Sequence, residues 1–153
     1  MIEQIIVSIF ASLGFGIIFN IRGKKLIFAA LGGGLSWFCY LFLVENKISN
    51  ILSMFISSII FSIYSEICAR YLKTPVTTLV VCALIPLVPG SGMYYTMYET
   101  IRGNIHGAVA LGLDTIYSAG TLSLGVIFVS TITRQVTNLK KVRQKLFGKQ
   151  NNS

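Results

Sequence analysis

Residues Pro75–Gly103 run PVTTLVVCALIPLVPGSGMYYTMYETIRG, and the rest of the chain is arranged around this stretch. It is apolar enough to enter a bilayer, yet Pro86, Pro89, Gly90 and Gly92 stand in its middle. Proline lacks a backbone N–H and its ring clashes with the carbonyl one turn earlier, so no continuous helix is expected through Pro86 and Pro89. Lipid offers no partner for the backbone groups freed in this way. Irregular backbone at that depth needs cover from protein or access to water. Interrupted helices of this kind form substrate and ion sites in transporters. The same break also fits a packing kink, or a turn joining a spanning helix to a surface helix.

Four further apolar segments flank it, at about Gln4–Ile21, Leu26–Val44, Ile51–Leu72 and His106–Thr133. Each is near the roughly 20 residues that cross about 30 Å of hydrocarbon. The expected fold is therefore all-α, a polytopic transmembrane helix bundle of five spans with the fourth broken at its Pro-x-x-Pro-Gly stretch. Residues 1–133 are expected to form one transmembrane domain and residues 134–153 a basic cytoplasmic tail. Composition agrees, with 54% hydrophobic and only 12% charged residues in 153. The opening MIEQIIVSIF has no basic residue before its apolar run and no small-residue cleavage site, so it is expected to stay as a helix rather than leave as a signal peptide.

The net charge of +8 does not form an aromatic-interleaved patch, and no nucleic-acid module can be read. Eleven of the thirteen basic residues fall on one side of a five-span chain: Arg22, Lys24, Lys25, Arg70, Lys73 and six in the tail. Lys47 and Arg102 alone fall on the other. Basic loops stay in the cytoplasm, which puts the N-terminus outside and the C-terminus inside. Cys39, Cys68 and Cys82 lie in apolar runs without a Cys-x-x-Cys or a paired His, so they are read as packing residues. No metal or cofactor is expected. One His, no His-Glu-x-x-His, no Gly-x-Ser-x-Gly and no phosphate loop argue against an enzyme.

Weakly polar residues recur at helical spacing. Ser8, Ser12, Gly16 and Asn20 share a face of the first span, Ser58, Ser62, Ser65 and Glu66 one of the third, and Asp114, Tyr117, Ser118, Thr121 and Gly125 one of the fifth. Small-xxx-small pairs, Ala29 with Gly33 and Ala30 with Gly34, mark the second. Such faces serve helix packing or line a hydrophilic path. A charge at the bilayer centre costs on the order of 3 kcal/mol or more, so buried ionisable groups are site candidates. Glu66 with Arg70, and Glu99 with Arg102, sit near the interfaces at ion-pair spacing. Asp114 is about two turns into its span with no basic residue within a turn. It is the candidate for proton coupling or for binding a substrate amine, the alternative being an interhelical hydrogen bond. Ser91 is the expected cap of a helix beginning at Gly92, whose free amides suit a substrate carboxylate. Tyr94, Tyr95 and Tyr98 would wall that site or form an interfacial belt.

Ser12–Tyr40 and Lys73–Tyr95 resemble the threonine/serine exporter family, and in particular the small subunit of its two-component bacterial form. The marks are Phe19-Asn20 before a basic turn, the glycine-rich second span, and Pro75 followed by Ile85-Pro86-Leu87-Val88-Pro89-Gly90. The resemblance implies a secondary exporter of small amino acids in the bacterial inner membrane, driven by the proton gradient. It also implies a larger membrane subunit supplying the other half, which fits the single broken helix seen here. Related pairs are connected with dicarboxylate export. Only Pro86, Pro89 and Gly90 carry over as family positions. The expected pathway comprises Pro86, Pro89, Gly90, Ser91, Gly92 and Tyr94, with Asn20, Asp114, Tyr117, Ser118 and Thr121 as polar contributors. Two other readings stand beside this one: a scaffold subunit that does not touch substrate, and a homo-oligomeric channel for small solutes.

Overall fold

The computed structural model describes residues 2–150, with side chains described up to residue 137. The side chains of most of the basic tail therefore lie outside the described residues. Six helices follow one another: α1 (Ile2–Ile18), α2 (Lys24–Glu45), α3 (Asn50–Tyr71), α4 (Val76–Leu84), α5 (Gly90–Ile101) and α6 (Ile105–Gln150), with a 3₁₀ turn at Ile85–Leu87. No strand occurs among the described residues. The helix of the last apolar segment runs past Thr133 without interruption.

Three helices are long and apolar enough to cross a membrane, namely α2, α3 and residues Ile105–Thr137 of α6. A fourth span is reached if α4 with its 3₁₀ turn and α5, bent by 51° at the break, are taken as one. The expected count of five thus differs at α1, which is apolar but only 17 residues long. Its end explains the difference. Asn20 takes a left-handed conformation (φ 58°), its N–H bonds back to Ile17 O at 2.9 Å, and Ile21 N–H bonds to Gly16 O at 2.9 Å. This closure stops the helix three residues before the expected Ile21. Lys47, Lys73 and Gly103 end α2, α3 and α5 in the same way, with φ of 62°, 49° and 77°.

The helix after the break begins earlier than expected. Pro89 sits at φ −74° and ψ 56°, and Gly90 N–H bonds to Val88 O at 2.7 Å, an inverse γ-turn. Helix α5 starts directly after it, at Gly90, with Pro89 at the cap position and no side-chain cap. Ser91 is therefore inside the first turn and does not cap a helix starting at Gly92. A proline with its φ already set makes that turn without help from a side chain.

Packing inverts the pattern of a soluble domain. Large apolar residues such as Phe10, Ile18, Ile67 and Ile127 face outward, while every buried polar residue among those described is a serine. When the surroundings are as apolar as the core, small residues that bring backbones close hold the helices together. A Cβ on Gly33 of α2 would overlap Ser12 of α1, and one on Gly125 of α6 would overlap Ser58 of α3. Helix α2 packs on α1, α3 and α4, and α6 packs on α3 and α5. Phe61, Ala83, Leu87 and Leu122 form a buried layer beneath Trp37, Tyr40 and Met54. Ser36, fully buried on α2, donates to Ala83 O at 2.8 Å and so gives a cross-helix partner to a carbonyl beside the break.

Candidate functional site

Above that buried layer lies a cavity of about 500 Å³. One wall is the irregular backbone, Pro86–Pro89 with Ser91 and Gly92; another is Asp114, Thr115 and Ser118 of α6. Trp37 and Tyr40 of α2, and Ser49–Ile51 and Met54 of the α3 start, complete it. Ser49, Asn50 and Ile51 are exposed, so the cavity meets the surface near the α2–α3 turn that carries Lys47.

Local chemistry explains why polar groups gather here. Pro86 cannot donate to Cys82 O, and Gly90 N–H is used in the γ-turn, so the first helical bond of α5 is Met93 N–H to Pro89 O at 3.2 Å. The amides of Ser91 and Gly92 have no acceptor among the described residues. They sit at the positive end of a 12-residue helix, where an anionic group is favoured. Gly92 allows α5 to close on α6, because a Cβ there would overlap Thr115 Oγ1. The Thr115 hydroxyl is already engaged, donating to Leu111 O at 2.7 Å. Asp114 is not. Its carboxylate is exposed within the chain and makes no ion pair or hydrogen bond among the described residues.

Of the residues singled out from the sequence, Pro86, Pro89, Ser91, Gly92, Asp114 and Ser118 meet in this cavity. Gly90 belongs to the same turn but is exposed, and no atom would meet a Cβ built on it within 4 Å. Tyr94 lies on the outer face of α5, 63% exposed, stacked on Tyr98 at 6.2 Å between ring centroids. Tyr117 is 61% exposed outside the cavity lining. Thr121 turns its hydroxyl onto Tyr117 O of its own helix, at 2.7 Å. Asn20 is brought to none of these. It stands in the α1–α2 turn, accepting from Arg22 Nε at 2.9 Å.

The two pairs near the interfaces part company. Glu66 and Arg70 are 3.7 Å apart, and Arg70 also donates to Thr137 at 3.1 Å, tying α3 to α6. Glu99 and Arg102 do not pair. Glu99 accepts from Asn104 Nδ2 at 2.8 Å, and Arg102 lies over the Tyr98 ring, 5.2 Å from its centroid. Arg102 stays one turn beyond Tyr98, its N–H bonded to Tyr98 O, and its guanidinium packs on that ring instead of reaching Glu99.

Sequence reading did not single out Trp37, Tyr40 or Met54 for this site. They are large residues on helices α2 and α3 whose spacing looks like any packed face, and only the assembled bundle turns them toward the break.

Residues 4–132 match the family model of the threonine/serine exporter, ThrE. The chain belongs to the threonine/serine exporter family. No curated protein and no solved structure matches it. Membership makes the protein a membrane transporter of the class that exports threonine and serine. For an exporter of this family the stretch matched includes every element that lines the cavity, from α2 to Ser118 of α6.

Proposed function

We propose that this chain is the small membrane subunit of a proton-coupled exporter of small amino acids such as threonine and serine, acting with a larger membrane subunit of the same family. The observation that carries the reading is that Asp114, with an unpaired carboxylate, and Ser91 and Gly92, with free amides, line one cavity. A solute's ammonium group meets Asp114 and its carboxylate meets the start of α5. That arrangement favours a zwitterion over a dicarboxylate, because the second negative charge of a dianion would face Asp114. Between loads the same carboxylate holds the proton that couples transport.

In this reading α4, its 3₁₀ turn and α5 are one span broken near mid-depth, since each half is about 20 Å long by helical rise. Helix α1, about 25 Å long, is the remaining span; a local thinning of the bilayer accommodates its length. The protein sits in the bacterial inner membrane with its N-terminus outside, and the cavity opens to that outer side. The layer of Phe61, Ala83, Leu87 and Leu122 closes the cytoplasmic side and parts in the alternate state.

The test is efflux of L-threonine from proteoliposomes containing both subunits, with and without an imposed pH gradient. Efflux that accelerates when protons flow inward against it is the expected result. Efflux indifferent to the gradient removes proton coupling, and no efflux with both subunits present removes the function.

A further inference from the structure

A second cavity, of about 450 Å³, lies on the other side of the break, lined by Glu3, Gln4, Val7, Ser8 and Ala11 of α1. Trp37 and Pro86 appear in the lining of both cavities, so the indole and the proline ring form the partition between them. Pro86 is fixed in the backbone. Trp37 is a side chain with two rotatable bonds.

The state of its N–H is what gives the partition a role. Indole nitrogen is a donor only. Trp37 Nε1 is shut away from solvent and has no acceptor among the described residues. A buried donor left without an acceptor is unfavourable, and most such groups in folded proteins find a partner. The ring has open space on two sides, so a rotation that brings the N–H to either cavity relieves the cost once an acceptor is present there.

We propose that Trp37 is a solute-binding partition: its indole turns to donate its N–H to an oxygen of the bound solute, and in turning it joins or separates the two cavities. This rests on the exporter reading given above. Two oxygens can serve, the side-chain hydroxyl and the carboxylate, and both are acceptors of the same N–H.

Trp37 is the chain's only tryptophan. Incorporating 5-fluorotryptophan into this chain, and not into its partner, therefore gives one fluorine resonance that reports the site. The experiment follows that resonance in the reconstituted two-subunit complex during titration with L-threonine, and measures binding by the native complex and the Trp37→Phe complex. The expected results are a threonine-dependent shift of the resonance and binding weakened in Trp37→Phe, about threefold to tenfold if the acceptor is the hydroxyl and about tenfold to a hundredfold if it is the carboxylate. A loss seen with threonine and threoninol but not with 2-aminobutyrate assigns the hydroxyl; a loss with threonine and 2-aminobutyrate but not threoninol assigns the carboxylate. Threonine binding with an unmoved resonance overturns the proposal and leaves the exporter reading standing. So does unchanged affinity for all three ligands in Trp37→Phe. If the Phe complex does not assemble, the resonance of the native complex decides alone. A native complex that binds no threonine overturns both.

Discussion

Asp114→Asn is expected to lower proton-driven threonine efflux about 10-fold to 100-fold, the range for removing a charged hydrogen-bond partner. The substitution keeps size and shape and deletes one negative charge. Within the described chain that charge has no partner, so its removal strands nothing and should leave folding intact. In the proposed mechanism it removes the counter-charge for an ammonium group and the carrier of the coupled proton. Asp114→Glu should recover part of the activity, since the charge returns with one extra methylene. Ser123→Ala serves as a control on the same helix, because that hydroxyl only bonds back to Gly120 O at 2.8 Å. Efflux and gradient dependence equal to native in Asp114→Asn would remove the residue from the mechanism. The readout is the initial rate in vesicles loaded to equal density.

Gly125→Val is expected to have the largest effect on assembly. At this point α6 lies on α3 so closely that any Cβ would overlap the Ser58 side chain and meet Phe55 O at 3.3 Å. A hydroxymethyl group can rotate or be removed; a backbone carbonyl inside a helix cannot move alone. Overpacking typically costs about 1–3 kcal/mol, and valine at a backbone contact belongs at the upper end. The smaller change Gly125→Ala should lower the melting temperature in detergent, and Ser58→Gly in the same chain should restore most of it. Gly120→Ala on the same helix should be close to neutral, because nothing lies within 4 Å of the added carbon. Equal melting temperatures for Gly125→Ala and Gly120→Ala would contradict the close approach.

These two residues show how unevenly the molecule could be read from its sequence. The break was legible because proline acts on its own backbone: no neighbour is needed to deny Cys82 O its donor at Pro86. The serine and glycine stripes were legible as faces, but not as partners. Spacing puts Gly125 and Asp114 on one face of α6; it does not say that Gly125 presses on Ser58 while Asp114 lines the cavity. That division follows from α3 and α5 crossing α6 at different heights. The helix ends were legible only in part. Asn20 has a side chain suited to a left-handed residue, whereas Lys47 and Lys73 take that conformation because the chain must turn there. Asn20, read as part of a polar stripe, is accounted for locally by this turn and its bond with Arg22. Trp37 was invisible as a site residue because nothing in WFCYLF distinguishes a ring that packs from a ring that divides two cavities.

Family membership accounts for the transport class, and the proposed function puts the solute in the cavity beside the break. The proposed function stands on the break at Pro86–Pro89 and the start of α5 bordering a water-filled solute site inside the bilayer. Single cysteines test this most directly, at Ser118 in the cavity and at Ser62, which is 2% exposed, in the α3 interior. Cys39, Cys68 and Cys82 are first replaced by alanine, and a membrane-impermeant thiol reagent is applied from the side of Lys47. Ser118→Cys is expected to label rapidly, and more slowly with L-threonine present, while Ser62→Cys stays unlabelled. A Ser118→Cys chain that transports threonine yet stays unlabelled from either side of the membrane would contradict the proposed function.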